Sequence, residues 1–216
     1  MMKEGEHKKY GPDRNFRRRL LLFLGGVLGG WTGMAAQSAC LVESSADFQA
    51  AALQEERSFL DTLSVRLEKG DVAGAVNYGN FVLQQDSTEA GKAVKAYEIA
   101  VELGQKDAYV EAASFCKKAL SYDIFFGKAH LLLARLYAAH PCWTEERALN
   151  QCTYYLVLDN LIRAKQLDVA LEKESDELLA LYSKKLPTRK DLFMLGYTTG
   201  DRVHIGGWIG ESIVIR

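Results

Sequence analysis

The side chains with the richest intrinsic chemistry in this chain are its four cysteines, Cys40, Cys116, Cys142 and Cys152. Cys142 and Cys152 stand ten apart across a loop-to-helix passage, so a disulfide between them requires the intervening segment to fold back until the Cα atoms lie within about 7 Å. Such a bridge belongs to an oxidising compartment. Cys116 occupies a small position in a helical pattern and reads as a buried apolar thiol. The spacing of His140, Cys142 and Cys152 fits no standard zinc site, so no metal is expected. A cysteine nucleophile would need the fold to bring His130 or His204 to a thiol, and no flanking motif supports that. The chain has no Gly-x-Ser-x-Gly, phosphate-loop or His-Glu-x-x-His signature. Gly206-Gly207 lies beside a strand pattern with no helix after it, which removes the dinucleotide reading. Glu172, Glu174, Asp176 and Glu177 read as one solvated helix face before they read as an acid–base pair. No catalytic residue and no cofactor is expected; a hydrolase would need a site assembled only by the folded chain.

The front end carries a different kind of information. Arg17, Arg18 and Arg19 run straight into the apolar segment Leu20 to Ala36, followed by Gln37, Ser38 and Ala39. Charge, apolar run and small residues in that order make a secretory signal peptide over residues 1–39, with cleavage after Ser38 satisfying the small-x-small preference through Ala36 and Ser38. The run is shorter than the roughly 20 residues a spanning helix wants, and Gly25, Gly26, Gly29 and Gly30 weaken it further as a helix. Cys40, just past the run, is a candidate for lipidation, although Gln37 stands where such signals usually have Leu. A membrane is therefore expected only through the signal segment or a lipid on Cys40. The full chain has 27 basic and 28 acidic residues, and several of the basic ones leave with the leader. The remainder has no basic stripe for phosphates, so nucleic acid is not an expected partner.

The middle of the chain must position whatever binds, and it repeats. Segments 71–87, 107–124 and 153–169 align, each closing on a small or β-branched residue followed four positions later by Asp. Upstream, Ala75 and Gly79, Ala112 and Cys116, and Val157 and Leu161 share equivalent faces, where mostly small side chains let helices approach closely. The pattern predicts seven helices, near 46–69, 71–86, 88–104, 107–122, 125–140, 144–167 and 169–185, with Thr144, Glu145 and Glu146 as a helix start. Asp107 to Asp123, followed by Leu133, Ala134 and Tyr137, resembles the tetratricopeptide repeat. The closing Pro of that family is replaced by Ser87, Ile124 and Val169, and Ala75 and Ala112 stand 37 apart against a family period of about 34. The resemblance implies a mainly α, tetratricopeptide-like antiparallel helix-pair solenoid over residues 40–186. It also implies a groove lined by the first helix of each unit, which would place Tyr97, Val101, Leu131 and Arg135 against a partner.

After Leu186-Pro187 the helical period stops and strand grammar begins. Asp191 to Tyr197 is semi-apolar, Thr199-Gly200-Asp201 is a turn signal, and Arg202 to Ile205 and Ser212 to Arg216 read as strands of a small β-hairpin over 187–216 packed on the last helices. Pro187-Thr188-Arg189-Lys190-Asp191-Leu192-Phe193, Gly196-Tyr197-Thr198-Thr199-Gly200-Asp201 and Ile205-Gly206-Gly207-Trp208-Ile209-Gly210-Glu211 resemble the C-terminal ends of exported tetratricopeptide-repeat proteins of Gram-negative bacteria. That resemblance implies export and carries no assigned reaction. Trp208 reads either as an interface anchor or as a plug on the helical array.

Together these readings describe a non-enzymatic adaptor of the bacterial cell envelope, periplasmic or outer-membrane-associated, that holds a protein or peptide in a helical groove. A second class is a small-ligand or glycan-binding protein stacking sugar rings on Trp143, Tyr154 and Tyr155.

Overall fold

The computed structural model describes residues 58–216. The leader, the cleavage point after Ser38, and Cys40 lie outside the described residues. The chain from 58 onward belongs to one compact unit. It opens with helical residues 58–68 (α1), then α2 (Val72–Gln85), α3 (Glu89–Gln105), α4 (Tyr109–Tyr122) and α5 (Gly127–Ala139). A short α6 (Arg147–Gln151) precedes α7 (Thr153–Leu167) and α8 (Glu172–Tyr182), with single 3-10 turns at Val169–Leu171 and Ser183–Lys185. The chain ends in α9 (Arg189–Met194), β1 (Arg202–Ile205) and β2 (Glu211–Val214).

Side-chain caps set several of the starts. The Asp71 carboxylate accepts from Gly74 N at 2.8 Å ahead of α2, and the Thr88 hydroxyl accepts from Gly91 N at 3.1 Å ahead of α3, each satisfying a donor the first turn cannot. Gly70 ends α1 in the left-handed region, where a side chain would be strained. Asp107 takes the same conformation between α3 and α4, as a short polar residue tolerates.

The repeat positions read from the sequence are buried. Ala75, Gly79 and Leu83 face inward on α2, Ala112, Cys116 and Ala119 on α4, and Val157, Leu161 and Ala164 on α7. Small size matters physically at Gly79, where an added Cβ would come within 3.1 Å of the Phe115 ring and 3.2 Å of Ile99. From α2 onward each long helix packs on the next, most extensively in the pairs α3 with α4 and α5 with α7, and one hydrophobic core runs through them. The result is a tetratricopeptide-like array of antiparallel helix pairs with a two-stranded C-terminal sheet. Within the second pair, buried His130 of α5 meets Asn160 of α7 at 2.8 Å. Asn160 Nδ2 donates to Leu156 O, so its Oδ1 accepts and the proton sits on His130 Nδ1.

Two elements differ from the sequence-based expectation. The helix predicted over 144–167 is broken, because Asn150 Oδ1 accepts from the N–H groups of both Trp143 and Thr144 while its Nδ2 donates to Thr144 O. That clamp holds the segment as a loop, delays the helix to Arg147, and leaves a break at Cys152. The stretch 191–197, read with strand grammar, begins instead as α9. Thr188 caps it reciprocally with Asp191, accepting from Asp191 N at 3.1 Å and donating its hydroxyl to Asp191 Oδ2 at 2.6 Å, and Leu192 is buried.

The strands pair antiparallel with Arg202 opposite Val214, Val203 opposite Ile213, His204 opposite Ser212 and Ile205 opposite Glu211. Val203, Ile205 and Ile213 face the core. This tail does not lie on the last helices alone. Lys117 of α4 donates to Ile209 O at 3.1 Å, Tyr137 of α5 donates its hydroxyl to Glu211, and Arg216 makes a two-oxygen contact with Asp159 of α7 at 2.7 Å. The tail is thus a strap across three helices of two adjoining repeats.

Candidate partner-binding surface

Helix α5 is packed on nearly every side. Only Lys128, Leu132, Arg135 and Ala139 keep any substantial contact with solvent, and their spacing of four, three and four residues draws a single stripe along the helix. On its α3 side the stripe is bordered by Tyr97, whose ring meets Phe126 edge-on at 5.2 Å between centroids, and α3 also presents exposed Val94 and half-buried Val101. On its α8 side Arg135 forms an ion pair with Glu174. Burial pushes the Tyr97 hydroxyl above its ordinary range, with the Cys116 side chain adding to the rise and the Arg135 charge pulling the other way. The strip therefore combines apolar side chains with the cations Lys128 and Arg135 and the hydroxyl of Tyr97.

The four groove residues expected from the sequence do not all sit here. Tyr97 and Val101 are half-buried and Arg135 is exposed, whereas Leu131 is 6% exposed and belongs to the core. Within Leu131-Leu132-Leu133, hydrophobicity alone does not say which residue escapes burial. The pair Lys128 and Arg135 does not say either, because Leu131 and Leu132 each stand three or four residues from both, and only the packing on the neighbouring helices separates them.

Trp208 is half-buried in the molecule's own packing, its indole 5.3 Å from the Tyr109 ring and 5.5 Å from the Tyr137 ring, while Tyr109 stacks on His140 at 3.8 Å. Tyr154 and Tyr155 are buried, and Trp143 lies against Gly206 and Gly207, where an added Cβ would approach it to 3.2 and 3.3 Å. Those three rings are thereby engaged with the protein rather than offered to a sugar.

The Cys142–Cys152 bridge that the spacing would allow is not formed; Cys116, Cys142 and Cys152 are free thiols. Cys142 is exposed on the loop held by Asn150, while Cys152 is buried with its Sγ on Ala148 O at 3.5 Å, so the two sulfurs serve different environments. Burial pushes the Cys116 thiol up to about 12 and the Cys152 thiol up to about 11, which leaves both poor nucleophiles. His204 lies 3.3 Å from Ser212 across the hairpin and His130 is engaged by Asn160.

Titratable groups converge at Tyr137, Glu211 and Lys117. Burial first, and the Glu211 carboxylate second, hold the Tyr137 hydroxyl far above its usual range, and Lys117 reaches Glu211 at 2.9 Å. Each of these bonds joins tail to array, and the arrangement is a structural joint. Among the described residues no group of three His, Cys, Asp or Glu side chains is placed to hold a metal ion, and no helix is long and apolar enough to cross a membrane. On α9, Phe193 and Met194 stand exposed, and a cleft of about 380 Å³ is lined by Phe193 with Leu192, Tyr197 and Ile215.

No protein-family model matches the chain, and no curated protein is similar to it. Among solved structures, the chain is similar to the TPR2B-domain:pHsp70 complex of yeast Sti1, at 21% identity and a TM-score of 0.44, over 61% of this chain and 96% of that one. A likeness at that level leaves the fold to be read from the helix pairs themselves.

Proposed function

We propose that this protein is a non-enzymatic interaction module of the bacterial cell envelope that holds a protein or peptide along α5, between α3 and α8. The observation supporting this reading is the stripe Lys128, Leu132, Arg135 and Ala139, the part of an otherwise enclosed helix left open to a partner. A repeat array buries each helix pair against its neighbours and leaves the first-helix face for binding. Val94 and Leu132 supply apolar contact, and Lys128 and Arg135 supply orientation. The basic-then-apolar leader supports export, with residence in the periplasm or at the outer membrane either as a chain cleaved after Ser38 or through a lipid on Cys40.

A photo-crosslinking amino acid at Leu132 of the full chain, in the cells that make it, tests the binding face. It should capture a protein that the Arg135→Glu variant no longer captures. The same probe at Asp107, on the turn between α3 and α4, is the control, and equal capture from both positions would overturn the assignment. Mass spectrometry of the mature N-terminus tests export, since a chain still beginning at Met1 rules out cleavage.

A further inference from the structure

The chain reverses from each long helix to the next, through short turns except for the 140–152 segment that holds α6, so α1, α3, α5 and α8 run one way and α2, α4 and α7 the other. The start of α1 therefore shares one edge of the array with the loops at 86–88, 123–126 and 168–171. That edge carries the most exposed apolar side chains of the helical array: Val169 at 80%, Phe125 at 68% and Ile124 at 64%, with Leu167 at 37% beside them. The two loops that bear them abut, because an added Cβ at Gly127 would lie 3.1 Å from both Ala164 O and Asp168 Cβ. Four tips thus make one patch.

The loops hold these tips outward by construction. Asp123 Oδ1 accepts from Phe125 N at 2.9 Å and Asp168 Oδ1 from Ala170 N at 2.9 Å, fixing each turn from within. The neighbouring Phe126 and Leu171 pack against the core, so each loop already sends one apolar residue inward and leaves its tips in water.

We propose that this edge is a docking surface for a lipid bilayer. A contiguous exposed apolar patch marks a protein or membrane contact. Protein hot spots concentrate in packed pockets, whereas these residues crown convex loop apices, a shape suited to entering a soft interface. Moreover, the chain enters the array at this same edge, and Cys40, the candidate for lipidation, stands 18 residues ahead of Ser58. Charge on the edge is mixed. Asp123 and Asp168 are turned to their own loops, while Lys128, Lys173 and Glu172 are exposed in the first turns of α5 and α8. The attraction is therefore apolar and resists salt. This surface adjoins the α5 stripe at Lys128, but its apolar tips Ile124, Phe125 and Val169 are no part of that stripe, so either assignment can fail without the other.

The test uses the full chain carrying Cys40→Ser and Cys142→Ser, with an environment-sensitive dye on Phe125→Cys or, as control, on Asp107→Cys, mixed with phosphatidylcholine vesicles. The dye at 125 should shift to the blue and be quenched by brominated lipid in low and high salt alike, while the dye at 107 stays aqueous. Adding Ile124→Asp and Val169→Asp should abolish the shift at 125 and leave crosslinking from Leu132 intact. Equal, aqueous behaviour at 125 and 107 would overturn the proposal whether or not the leader holds the chain on the vesicle. Shielding at 125 that requires an added protein would overturn it too.

Discussion

Replacing Glu211 by Ala removes the acceptor that the Tyr137 hydroxyl and Lys117 share, and the two losses differ in size. Tyr137 is fully buried, so its hydroxyl is left without a partner at a cost of about 1–3 kcal/mol. Lys117 is exposed and regains water, so its lost pair at 2.9 Å is worth about 0–1 kcal/mol. Glu211→Ala should thus cost about 3 kcal/mol, a fall in Tm of about 9 °C for a domain of this size. Tyr137→Phe leaves no orphaned hydroxyl, and in that background Glu211→Ala should cost about 1 kcal/mol. Urea titrations of the four proteins, followed by far-ultraviolet circular dichroism at neutral pH, give the coupling directly, about 2 kcal/mol. Additivity within about 0.5 kcal/mol would refute the claim that this hydroxyl–carboxylate bond fastens the tail.

Further outcomes follow from single positions. Leu131→Ala should cost about 2–5 kcal/mol by chemical denaturation, whereas Leu132→Ala, on the open stripe, should cost less than half of whatever Leu131→Ala costs; the reverse order would exchange their places. The backbone N–H of Thr88, then Lys95, hold the Asp86 carboxyl at about 2 against an ordinary 3.8. A depressed carboxyl stabilises the fold above its unfolded value and loses that effect on acidification; with solvent screening the loss should be about 1 kcal/mol between about pH 4 and pH 2, and Asp86→Asn should flatten that part of the stability profile. Thiol titration of the native protein under non-reducing conditions should find Cys142 reacting fast and Cys116 and Cys152 reacting only on unfolding; a Cys142 that reacts only after reduction would restore the disulfide.

The repeat was legible in the sequence because close helix contact constrains side-chain volume. Ala75, Gly79, Ala112 and Cys116 could be aligned by size alone, and the structure buries all four. The strands were legible from alternation and β-branching, with Arg202 to Ile205 recovered at its full length. Side-chain competition for the backbone was harder to see. The Asn150 clamp consumes two N–H groups that a helix starting at Thr144 would have left free for capping, and nothing in Thr144-Glu145-Glu146 announces a distant amide. The Thr188–Asp191 cap was visible in principle, but it starts a helix of only six residues, too short to show a period. The destination of the tail was not legible, because its contacts with Lys117, Tyr137 and Asp159 depend on how the repeats stack. Of the groove residues that the repeat resemblance implied, Tyr97, Val101 and Arg135 keep contact with solvent, and Leu131 was named rather than Leu132 because a triple-leucine run conceals its outward member.

The strap has a mechanical meaning. A stack of helix pairs touching only their neighbours behaves as a spring, bending by small rotations at each joint. Pinning α4, α5 and α7 to one hairpin removes that freedom from the downstream coils and concentrates the remaining compliance at the amino-terminal pair. A pull on the hairpin is thereby shared among Asp159, Tyr137 and Lys117 on three different helices, so the tail stiffens the downstream half of the array as one block.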